Sequence, residues 1–240
     1  MKNKLLACFL VLLVTACAST SQQAKNDLRQ GMQAEENQEY EKAMKYFIKS
    51  CDKGNEAGCF SAGYHFREGK IIKKNFAKAL DYFSPACDKG MLAACNEMGL
   101  IYTHGGDGVE KNYKKALQLY QKACNQNEYE ACNNIGSMYH FGYGVRQDDV
   151  QASAFYEKSC QGKSYQGCFN TAYAYEHGLG VKKDLSTAKE YYGKSCDLGK
   201  QKACDIYKML EIIALFTRWV EKNKSPRLQR VFYLLVLHEA

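Results

Sequence analysis

ALQLYQKACNQNEYEACNNIGSMYHFGYGV, residues 116–145, decides the fold. Ala116, Tyr120 and Cys124 stand four apart, which puts them on one face of a helix. Asn127, three past the cysteine, tolerates the left-handed conformation that stops a helix. Cys132 opens a second run that carries Gly136 and Tyr139, and Gly142-Tyr143-Gly144-Val145 then marks a loop. The reading is a pair of helices around a tight turn, with one cysteine on each arm.

The same sentence is written five times. Beyond Cys124/Cys132 the chain carries Cys51/Cys59, Cys87/Cys95, Cys160/Cys168 and Cys196/Cys204, each pair eight apart, at steps of 36, 37, 36 and 36. The odd step coincides with an extra residue in Gly105-Gly106-Asp107-Gly108. Ala43, Ala79, Ala116, Ala152 and Ala188 precede each first cysteine by eight, with an aromatic residue between. Gly63, Gly99, Gly136 and Ala172 follow the second cysteine by four, and Phe66, Tyr102, Tyr139 and Tyr175 by seven. A fixed period of this size means stacked supersecondary units. The predicted fold is all-α, an α/α solenoid of helix hairpins, with units at 40–75, 76–112, 113–148, 149–184 and 185–207. Residues 18–39 read as a polar tether and an N-terminal capping helix. Residues 208–240 read as C-terminal capping helices, the last from Arg227 to Ala240 behind Ser225-Pro226. The alternative for the apolar stretch 208–220 is an exposed docking strip.

Working outward, 46% of the 240 residues are apolar and 25% charged, which excludes wholesale disorder. The 33 basic residues exceed the 26 acidic ones by seven, but they are interspersed with no long basic run, so nucleic acid is not an expected partner. Lys2 and Lys4 precede an uncharged apolar run from Leu5 to Ala16, the layout of a secretory signal peptide. Val14-Thr15-Ala16-Cys17 resembles a bacterial lipobox, with Cys17 the lipidated residue. Cleavage after Ala18 with simple secretion is the competing reading. Both routes leave the cytoplasm, for the outer membrane facing the periplasm or for a soluble exported form.

Export favours disulfides between the paired cysteines, because it supplies the oxidising route. A bond between the arms of one hairpin closes a nine-residue loop, worth about 2.6 kcal/mol by chain entropy. Zinc is the rival. Zinc sites favour ligand pairs two to four apart in a closed set of four, and each unit holds one pair only.

The motif Ala-x3-aromatic-x3-Cys-x2-Gly…Cys-x3-Gly-x2-Tyr-x2-Gly-x-Gly-Val, seen between Ala79 and Val181, resembles the Sel-like repeat family, relatives of the tetratricopeptide repeats. A cysteine pair in every unit is similar to the Helicobacter-type cysteine-rich branch. The resemblance covers about residues 28–207. It implies an exported right-handed α/α superhelix that serves in protein interaction or host contact. It also raises slow penicillin-binding β-lactamase activity as an alternative. The first unit departs from the motif with Gly69-Lys70-Ile71-Ile72, and the last has Lys208 and Glu211 in place of Gly and Tyr.

No catalytic residue can be assigned from the sequence. Ser50-Cys51-Asp52-Lys53 and Ser186-Thr187-Ala188-Lys189 fit Ser-x-x-Lys, but two matches are what this serine and lysine content gives by chance. Ser-Asp-Asn and Lys-Thr-Gly are absent. His-Glu-x-x-His is missing too, and His104 and His177 share a repeat position with His140 one residue off it, too far apart for a common metal. No cofactor and no metal are expected. Asn96, Asn133, Asn134 and Asn170, just past successive second cysteines, are candidate ligand-binding amides, with inter-helix hydrogen bonds as the plainer role. The expected function is an exported repeat scaffold. It would bind proteins, peptides or peptidoglycan fragments in a groove lined by the first helices, with β-lactams as the alternative ligand and lipid contact through the anchor alone.

Overall fold

The computed structural model describes the backbone of residues 2–222 and the side chains of 19–220 and 222. The described residues form eleven helices: α1 (Lys2–Glu36), α2 (Tyr40–Asp52), α3 (Glu56–Glu68), α4 (Phe76–Asp88), α5 (Leu92–His104), α6 (Tyr113–Cys124), α7 (Tyr129–Phe141), α8 (Asp149–Gln161), α9 (Tyr165–His177), α10 (Leu185–Asp197) and α11 (Gln201–Lys222). From α2 to α10 each helix is 12 or 13 residues long. Each packs on its neighbours in the chain, which makes a solenoid. The C-terminal capping segment 227–240 lies outside the described residues.

Local chemistry sets the helix ends. Asn75, Asn112, Asp148 and Asp184 accept backbone N–H groups of the first turn of α4, α6, α8 and α10. The three-residue turns inside the hairpins need one left-handed residue. Gly54, Gly90 and Gly199 supply it, and so do Asn127 (φ 69°) and Lys163 (φ 62°), where the sequence offers no glycine. The extra residue of the odd step sits in a loop closed by the isolated bridge Gly106–Val109.

The turn brings the two cysteines of each hairpin together. Cys51–Cys59, Cys87–Cys95, Cys124–Cys132, Cys160–Cys168 and Cys196–Cys204 are bonded, with Cα–Cα distances of 4.3–4.9 Å. Between hairpins, a small residue on a second helix receives the aromatic ring of the next first helix. A Cβ added at Gly99 would stand 2.4 Å from Tyr120 Cε1. Phe83, Tyr120, Tyr156 and Tyr192 are buried in these seams. Polar groups fix the register. Ser159 and Ser195 donate to the carbonyls of Tyr129 and Tyr165, each in the hairpin before. Lys122 and Lys158 donate to the carbonyls of Cys87 and Cys124 at the C-terminal ends of α4 and α6, where a cation is favoured.

α1 differs from the tether of the sequence reading. Residues 18–36 continue one helix: the run from Ser19 to Glu36 holds no proline, and residues 22–25, 28–30 and 32–36 are all good helix formers. Its second half acts as a second helix without a first: Gly31 lies under Phe47, and Ser50 donates to the carbonyl of Ala24. Asp27 then occupies the position of a second cysteine, buried and paired with Lys53.

Candidate functional site

At the junction of the third and fourth hairpins the packing opens into a cleft of about 360 Å³ between α7, α8 and α9. The repeat explains it. One junction earlier the corresponding positions carry Leu100, Tyr113, Leu117 and Met138, which pack into the main core. Here they carry Ser137, Asp149, Ser153 and Ala174, and all four line the cleft. Four large side chains have become small or polar around a single point, while His104, Asn133 and Ser137 of the earlier junction give way to Phe141, Phe169 and Tyr173 in the same lining.

The remaining wall is apolar and aromatic: Phe141, Tyr156, Phe169, Tyr173 and Leu179. Tyr156 is buried, and its hydroxyl lies 3.3 Å from Ser137 Oγ. Burial pushes this phenol above its ordinary pKa, with the Ser137 hydrogen bond opposing, so the ring stays neutral. Phe141 stands out at the rim, 59% exposed, stacked on Tyr143, which in turn stacks on Tyr113. His140 Nδ1 lies 2.6 Å from Asp149 Oδ1 at the other edge. The contact orients the imidazole and leaves its Nε2 for another partner.

The candidate amides form rungs rather than a row of free groups. Asn134 Nδ2 donates to Asn96 Oδ1 at 2.8 Å, and Asn170 Nδ2 to Asn133 Oδ1 at 2.7 Å. Of the four, Asn170 lines the cleft. The sequence reading placed binding on the first helices. The cleft takes α8 from that set, and α7 and α9 from the second helices. His140, Asp149, Ser137, Ser153 and Ala174 were not singled out as a group. The signal was present, as small residues where other units have large ones. It appears only when the units are compared column by column.

Catalytic groupings do not assemble here. Ser50, the serine of the first Ser-x-x-Lys match, is fully buried with its hydroxyl committed to Ala24. Ser186 belongs to the capped first turn of α10, where its N–H donates to Asp184. His177 approaches Glu176 at 3.8 Å, and the described residues hold no group of three or more potential metal ligands. The side chain of Cys17 lies outside the described ones.

The family model of the Sel1 repeat matches residues 31–55, 57–91, 92–128, 130–164 and 166–200. No curated protein matches the sequence. Among solved structures, a Sel1 repeat protein from Oxalobacter formigenes is 24% identical over 78% of this chain and 76% of its own, with a TM-score of 0.71. A protective antigen of uropathogenic Escherichia coli with the same type of fold is 24% identical over 82% of this chain, with a TM-score of 0.61; the match spans 44% of the antigen. Helicobacter pylori cysteine-rich protein B is 30% identical over 57% of this chain and 98% of its own, with a TM-score of 0.46. The chain belongs to the Sel1 repeat family, as a cysteine-rich member with a disulfide in each of five hairpins.

Proposed function

We propose that the chain is an exported scaffold that holds a partner protein through the junction of its third and fourth hairpins. The observation that carries this reading is the cleft between α7, α8 and α9, where the repeat gives up four large side chains at one place. A purely structural stack gains nothing by leaving a seam unfilled, since unfilled apolar contacts cost stability. Repeat solenoids present continuous surfaces, and binding is their general use.

Export rests on the apolar N-terminal run with its flanking lysines and on the five disulfides, which persist outside a reducing cytoplasm. The proposed address is the cell envelope, with lipid on Cys17. Peptidoglycan fragments are the second class of ligand to be offered. No side-chain set in the cleft supports β-lactam turnover.

The test is site-specific photocrosslinking in the producing cell, with a benzophenone side chain at Phe141 on the cleft rim and, as control, at exposed Lys45 on α2. A discrete protein adduct from position 141 alone is the expected result. Equal labelling from both positions, or an adduct with glycan and no protein, contradicts it. Intact mass of the same material is expected to show ten oxidised cysteines.

A further inference from the structure

From the replacement of four large side chains at one junction, we infer that the cleft is a socket for a single bulky apolar side chain, inserted by an extended peptide segment of the partner. The inference rests on the protein-binding reading and adds the chemistry of what is bound. The protein supplies its own template. At the preceding junction Leu100, Tyr113, Leu117 and Met138 stand where the cleft has Ser137, Asp149, Ser153 and Ala174, and the rest of the lining is mostly aromatic, so a leucine, methionine or aromatic side chain entering from outside meets a wall suited to that chemistry.

Rim chemistry fits a peptide better than a free hydrocarbon. Asn170 donates one of its two amide N–H groups to Asn133, and no donor among the described residues bonds its Oδ1. That oxygen accepts a backbone N–H. Asp149, held at one oxygen by His140, has a second oxygen for another. Small binding sites combine an apolar body with a few fixed polar groups in this way, and a buried aromatic or aliphatic anchor is the usual centre of a protein contact.

The experiment is selection of a random twelve-residue peptide display library on the oxidised full chain in mild detergent, followed by affinity measurement on synthetic peptides. Each peptide is measured on the wild type and on the double variant Ser153→Leu, Ala174→Met, which restores two of the four large residues of the preceding junction. The expected result is enrichment of peptides sharing one bulky apolar position, at least tenfold weaker binding to the double variant, and similar loss when that position becomes alanine. Peptides that bind both proteins equally overturn the socket while leaving a scaffold that binds elsewhere. Failure to enrich any peptide on the wild type overturns the socket too, and the photocrosslinking outcome decides separately whether the scaffold reading survives. Ser153→Leu alone serves if the double variant does not give the helical circular dichroism of the wild type.

Discussion

Asp27 shows how a single residue is read differently by sequence and by packing. It lies where the repeat places a second cysteine, yet no cysteine signal marks it, and Gly31 precedes Gly63 by 32 residues rather than 36. The shorter connection between α1 and α2 breaks the period, so the register emerges only from Gly31 under Phe47 and Ser50 bonded to Ala24. Gly99 is the opposite case, legible at once because it keeps the beat. Its lack of a Cβ is what lets Tyr120 approach, and Gly99→Ala is expected to cost about 1–3 kcal/mol through overpacking, read as a lower melting temperature. An unchanged melt would remove the seam from the account. Glu97 carries a pH prediction. Burial raises its carboxyl pKa, with Arg67, at 2.5 Å, opposing. A raised folded pKa means that the protonated form is favoured in the fold, so this residue's contribution is present at low pH and lost as pH rises through the raised value. The melting temperature of the wild type, relative to Glu97→Gln, is therefore expected to fall as pH rises above the ordinary carboxylate range. Parallel curves would contradict that sign.

At the scale of the helix hairpin, the cysteines were legible because their offset is constant, and one turn geometry follows from it. Lys163 was not legible as a turn residue, since a lysine carries no preference for the left-handed conformation it adopts there. In the chain-entropy account the disulfide acts by constraining each hairpin in the unfolded chain. Replacing both Cys124 and Cys132 by alanine is expected to cost about 2.6 kcal/mol, which for a chain of this size lowers the melting temperature by roughly 5–10 °C. Calorimetry under non-reducing conditions measures it. A shift within a degree of zero would mean that the seams, with their buried aromatics and inter-hairpin serine and lysine bonds, carry the hairpin without help. α11 outruns its partner α10 and exposes Met209, Ile212, Leu215 and Trp219 along its length, in the stretch where Lys208 and Glu211 replace the glycine and tyrosine of the motif.

Across the whole molecule the stack was legible and the site was not, for one physical reason. A solenoid is specified by what recurs, and recurrence is visible in a line of text. A cleft in a solenoid is specified by what fails to recur, and Ser137, Asp149, Ser153 and Ala174 are each unexceptional residues scattered over 38 positions. Only the packing of α7, α8 and α9 collects them. His140 hinted at it by standing one residue off the beat of His104 and His177, and that displacement is what places its ring against Asp149. Binding is expected to concentrate where the repeat departs from its own pattern. Hydrogen exchange of the oxidised chain, alone and saturated with the partner identified by photocrosslinking, is the decisive measurement. Slowed exchange is expected in the segments around 137–156 and 169–179, with the other hairpins unchanged. Protection confined to another junction, or spread evenly along the stack, would contradict it.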